Sequence, residues 1–205
     1  GRAHLSMALA PADSEFVVVG TGKLLRVFGE DPTPVFETQL CDPVLSVALG
    51  ADGHTLAAST QHDVDDGTVH VWDFRTGNKV WETAGVVARR VRVHPEKPSV
   101  LLLVSPAVVS CVVVGNDKWD QSATLLTQPH EHVMDAAFAR PGTPEVVVLM
   151  RGGLYLWDPD GDESRLTCLQ PFTRRSARCL ALSDGAAFVG KATGDLVCVD
   201  LWKDE

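Results

Sequence analysis

The chain has 205 residues, 45% of them apolar, and a formal charge of −9, with a pI near 5.2. That length and apolar content suffice to bury a substantial core, which excludes disorder, and the acidic balance leaves no general basic field for nucleic-acid phosphates or an anionic membrane surface. The longest apolar run, Val100 to Val114, is broken at Ser105-Pro106 and reads as two strands around a turn, falling short of the roughly 18 residues of a membrane span.

At the amino end, "GRAHLSMALAPADSEF" meets Pro and acidic residues before any long apolar core forms, so it does not resemble a signal peptide. Strand signals then follow in succession: "EFVVVGT" (15–21), "LLRVF" (24–28), "PVLSVAL" (43–49), "HTLAAST" (54–60), "GTVHVWDF" (67–74), "KVWETAG" (79–85), "SVLLLVS" (99–105), "EVVVLMR" (145–151), "GLYLWD" (153–158) and "DLVCVDL" (195–201). Gly, Pro, Asp and Asn gather between them, and no long window sustains a helical period with caps, which predicts a nearly all-β chain. Cys41, Cys111, Cys168, Cys179 and Cys198 are odd in number, widely spaced and in or beside apolar segments. They are expected to be reduced, packed thiols of an intracellular protein, and no pair has zinc-site spacing.

The residues that close successive third strands are Phe28, Trp72, Val114, Trp157 and Val199, and subtracting neighbouring positions gives spacings of 44, 42, 43 and 42. The turns after the first strands, at Pro11, Ala51, Pro95, Pro141 and Asp184, are spaced by 40, 44, 46 and 43. Two markers thus share a period in the low forties with four strand signals per unit, the spacing of β-propeller blades. The expected blades span residues 1–40, 41–85, 86–129, 130–170 and 171–205. Each small sheet needs a neighbour to cover its faces. The chain starts on a first strand and stops after a third, so it is expected to be part of a larger propeller with roughly two further blades, a closed five-bladed ring being the alternative.

The stretch "DDGTVHVWDFRTGNKV", Asp65 to Val80, resembles the WD-repeat family. The resemblance implies a buried hydrogen-bonded set in the second blade, in which Asp66, Ser59 or Thr60, and Trp72 match, with Asp73 following the Trp; the family's His is missing there, and "QHDV" adds residues before the turn. Trp157 and Asp158 match in the fourth blade, where His130 or His132 sits near the family's His but Gly152-Gly153 replaces the Asp. Phe28, Val114 and Val199 stand where Trp is usual, so the other blades are divergent.

No phosphate-binding glycine loop, nucleophile elbow or "HExxH" is present. Asp158, Asp160 and Asp162 imitate the start of a calcium loop, but its twelfth residue would be Leu169, so a solvated turn is expected. His130 and His132 lack a third ligand, and Asp65-Asp66 reads as a structural turn. No enzyme activity, cofactor, metal or small-molecule substrate is therefore expected, and neither nucleic acid nor membrane is an expected partner.

Partner binding is instead expected at loop rims. Arg89-Arg90 and Arg174-Arg175, with Arg178, precede or enter the first strands of the third and fifth blades and would place basic groups on one rim, suited to carboxylates. Arg75 in "VWDFR" resembles the box by which some WD-repeat proteins dock on the adaptor of a cullin-type ubiquitin ligase, which implies a substrate receptor or adaptor as the alternative function. "GGLYLWD" and "GDLVCVDLWKD" are similar to the echinoderm microtubule-associated protein-like and related tandem-propeller ciliary proteins. That likeness implies a cytoplasmic scaffold at the cytoskeleton or cilium, with tubulin or axonemal components as partners.

Overall fold

The structure, a computed structural model, describes residues 5–9, 15–114, 119–127, 131–140, 142–161, 166–172, 177–183 and 185–202. Every regular element among them is a strand, as the alternating apolar runs predict. The chain divides into two compact units, residues 1–103 with 112–120 and residues 104–111 with 121–205.

In the first unit, β1 (Leu5–Leu9), β2 (Val17–Thr21), β3 (Leu24–Phe28) and β4 (Pro34–Gln39) form one antiparallel meander, and β5 (Val44–Leu49), β6 (Thr55–Asp63), β7 (Asp66–Asp73) and β8 (Asn78–Ala84) form the next. Strand alternation gives each sheet two faces. Val18, Leu25 and Val27 of the first sheet pack with Val44, Val47, Leu56, Ala58 and Trp72 of the second. The opposite face of the second sheet, with Ala48, Ala57, Val69 and Val71, packs with Val91, Leu101 and Val112. Burying one fully enclosed Val or Leu contributes roughly 1.5–3 kcal/mol, so these layers explain why sheets of about five-residue strands are stable only when stacked.

Val91 and Val112 belong to β9 (Arg90–Val93) and β11 (Val108–Val114), which join β10 (Val100–Val104) and β12 (Trp119–Leu126) in a third sheet; the boundary between the units runs through its strands. The second unit continues with β13 (Val133–Phe138), β14 (Val146–Met150), β15 (Gly153–Trp157) and β16 (Leu166–Pro171), then the three-stranded β17 (Ala177–Ser183), β18 (Ala186–Lys191) and β19 (Leu196–Asp200). Its core joins Val147, Leu149 and Leu154 to Leu180, Ala187 and Val189.

Phe28, Trp72, Val114, Trp157 and Val199 all lie at the last or next-to-last position of the third strand of their sheets. The period read from them is therefore the period of the blades, and the "VLLLVSPAVVSCVVV" run is two strands. Two expectations are corrected. The second blade's central hairpin is longer than expected: β6 runs on to Asp63, which pairs directly with Asp66, because Gln61 and Asp63 extend the ladder across an irregularity at His62 and leave only Val64 and Asp65 in the turn. Of the five free cysteines only Cys111 is buried; Cys41, Cys168, Cys179 and Cys198 are exposed, since an apolar neighbourhood in sequence does not say which face of a strand a thiol takes.

Candidate partner-binding site

The second blade holds a polar network beneath the cleft beside Thr38, Gln39, Asp42 and Lys79, a space of about 220 Å³. Thr60, His70 and Trp72 share one face, because Thr60 pairs with Thr68, and His70 and Trp72 lie at steps of two beyond it. His70 Nδ1 lies 2.8 Å from Glu82 Oε2 on the adjacent strand. A carboxylate only accepts, so Nδ1 carries the proton and Nε2 faces the Thr60 hydroxyl at 3.5 Å. The imidazole stacks on Trp72 with ring centroids 5.3 Å apart. Burial pushes His70 below its ordinary range, against the opposing hydrogen bond and charge of Glu82. The hydrogen bond from Lys79 holds the Glu82 carboxyl low, helped by His70 and opposed by burial. At the edge of the blade, exposed His62 sits 3.0 Å from Asp42, whose hydrogen bond and charge raise it.

Of the implied set, Thr60 and Trp72 take part in this network, while Asp66 and Ser59 do not. Asp66 is exposed at the base of the extended hairpin, and Ser59 points to the other face, packed beside Ala57 and Val69, where its buried hydroxyl has no hydrogen-bond partner among the described residues. One residue of phase separates Ser59 from Thr60, and in a strand one residue exchanges faces. Sequence reasoning overlooked His70 and Glu82; the signal was present in "VHVW", where a His two residues before the Trp must share its face.

Asp73 caps the following turn by accepting from the backbone N–H groups of Arg75 and Thr76. Burial pushes its carboxyl up, but these bonds, the Thr76 hydroxyl and the nearby His54 outweigh it and hold it low. Trp157 closes β15 fully buried, yet its Nε1 has no partner among the described residues. The facing strand, "VVVLM", offers no hydroxyl. Asp158 forms a local turn, accepting from the Asp160 N–H at 3.0 Å. Asp162 and His130 lie outside the described residues, and among those described no group of three or more His, Cys, Asp or Glu could hold a metal ion.

Arg75 occupies a more constrained position than its place in "VWDFR" suggests. Its Nε donates to the Gly53 carbonyl at 2.9 Å, and its guanidinium lies over the Phe16 ring at 5.4 Å. Gly53 takes φ +70, a conformation that favours glycine, and so turns that carbonyl toward Arg75. Phe16 meets Phe74 edge-on at 5.2 Å, and Phe16, Val35, Phe74 and Arg75 line a cavity of about 280 Å³.

Arg89 and Arg90 are exposed at the start of β9, and neither forms an ion pair among the described residues. Arg178, in the second unit, is exposed on β17. Arg174 and Arg175 lie outside the described residues. No helix among the described residues is long and apolar enough to cross a membrane.

The stacked four-stranded antiparallel sheets define a WD-repeat β-propeller fold, and solved structures share it. The chain is similar to Sqt1 of Saccharomyces cerevisiae, with a TM-score of 0.72 and 14% identity over 97% of this chain and 59% of that one. It is similar also to the WD40 repeats of RRP9, with a TM-score of 0.75 and 12% identity over 99% of this chain and 62% of that one. The chain thus spans about three-fifths of either neighbour's length. No sequence-family model matches it, and no curated protein resembles it closely enough in sequence to count as a match.

Proposed function

We propose that the chain is a non-enzymatic protein–protein interaction scaffold and, more specifically, part of a microtubule-associated or ciliary propeller protein working in the cytoplasm. On this reading residues 1–205 are five consecutive blades of a larger propeller, in keeping with the greater length of both structural neighbours. The observation that carries the proposal is the exposed Arg89-Arg90 pair, basic groups left available on a chain of net charge −9. Such a pair suits an acidic lattice such as the tubulin exterior, because a guanidinium fork bonds a carboxylate through two parallel N–H groups. The "GGLYLWD" and "GDLVCVDLWKD" resemblance points the same way.

Co-sedimentation with polymerised tubulin tests it. The chain is expected to pellet with microtubules, less so as salt rises, and the double variant Arg89→Glu, Arg90→Glu is expected to remain in the supernatant. No pelleting by the wild-type chain, or pelleting that ignores both salt and charge reversal, would overturn the microtubule reading. No contact of Arg75 favours the ubiquitin-ligase reading over any other protein partner.

A further inference from the structure

We infer that the cavity lined by Phe16, Val35, Phe74 and Arg75 is a docking site for an internal peptide segment carrying one bulky apolar side chain next to an Asp or Glu. This rests on the interaction-scaffold reading and adds a site and a ligand class to it.

Four features support this occupant. The floor is apolar: Phe74 is only 3% exposed and meets Phe16 edge-on. The rim is open, with Val35 56% exposed beside a cavity of about 280 Å³. That space accepts one aliphatic or aromatic side chain and little more. The guanidinium is held in place by the Nε bond to Gly53 and by the Phe16 face, so its two terminal nitrogens are presented without the entropy loss of ordering a free arginine. Among the described residues Arg75 forms no ion pair: the neighbouring Asp73 carboxylate accepts instead from the Arg75 and Thr76 backbone. A preorganised cation lacking a carboxylate, beside an apolar slot lacking a side chain, is complementary to a ligand that supplies both. Apolar anchors in pockets and arginine forks are also the groups that concentrate binding energy at interfaces.

Selection from a heptapeptide library displayed at an internal position, against the purified chain, tests this. The expected result is a consensus pairing a bulky apolar residue with Asp or Glu. A synthetic peptide of that consensus is expected to lose roughly tenfold or more in affinity with Arg75→Gln, the loss associated with one charge-assisted contact. Val35→Asp, at an exposed position, is expected to weaken binding similarly while leaving the thermal melt unchanged, so that misfolding is separated from loss of the site. The proposal is overturned by the absence of a consensus, by a consensus without a carboxylate, by one read only as a free carboxyl terminus, or by binding that both variants leave intact. Microtubule pelleting through Arg89 and Arg90 is a separate readout, so either result stands or falls without the other.

Discussion

The Glu82 carboxylate and the His70 imidazole are direct partners across β7 and β8, 2.8 Å apart, and the same carboxylate also takes the Lys79 ammonium. Two histidines of this blade are consequently driven in opposite directions. His70 lies below its ordinary value of 6.5 because burial outweighs Glu82, and His62 lies above it because Asp42 bonds the charged form. The folded state therefore resists protonating His70, so this group removes stability as pH falls below 6.5 toward its folded value. His62 does the reverse: it contributes stability below 6.5, and that contribution is lost as pH rises through its folded value. An NMR titration of the ring protons is expected to give the lower midpoint to His70, and Asp42→Asn is expected to bring His62 down. A higher midpoint for His70 than for His62 would refute the assignment.

Ser59 and Thr60 are adjacent in sequence and opposite in role. Ser59→Ala removes a buried hydroxyl that has no partner among the described residues, so unfolding free energy is expected to stay level or rise by up to about 1 kcal/mol. Thr60→Val removes the hydroxyl facing His70 and the Thr68 carbonyl and is expected to cost about 1 kcal/mol. Urea unfolding of both variants checks the pair; a larger loss from Ser59→Ala would mean that Ser59, not Thr60, carries the blade's polar link.

Gly67 opens the third strand of the second blade where two backbones converge. An added Cβ would fall 2.5 Å from the Thr60 carbonyl oxygen and 2.9 Å from that of Val86, neither of which can rotate aside as a side chain does. Gly67→Ala is expected to cost about 1–3 kcal/mol, the range for overpacking in a close-packed region. A melting temperature equal to wild type would show that the ladder there yields readily.

Leu5, Met7 and Leu9 form an apolar row on β1, exposed by 73%, 64% and 68%. Contiguous exposed apolar surface on a strand promotes association. Light scattering is expected to detect concentration-dependent self-association of the chain, and Met7→Lys is expected to reduce it without shifting the melt. Unchanged association in that variant would exclude the row as its cause.

Much of the fold was legible in the sequence, because a blade writes the same demands into the chain each time: alternation for a two-faced strand, turn residues between strands, and a bulky side chain where the third strand ends. Phe28 and Val114 occupy that position without a Trp, half-buried apolar side chains that end the third strand as Trp72 and Trp157 do. The polar part was less legible. Trp157 stands at the expected place fully buried, yet its Nε1 has no hydrogen-bond partner among the described residues, so the Trp in the sequence did not tell of a polar set around it. The Asp66 reading failed because lengthening the hairpin moved that residue from a buried turn to an exposed edge.

The repeating sheet is written along the chain: its period and its strands follow from interactions between residues near one another in sequence. Which side chains converge between sheets is fixed by packing in three dimensions. Phe16, Val35, Phe74 and Arg75 come from separate strand ends and loops of two blades and meet around one cavity. Their meeting depends on how one sheet stacks on the next, and the stacking is directed by area burial that any suitable apolar residue would satisfy. The local pattern therefore records that a face must be covered without recording which neighbours cover it.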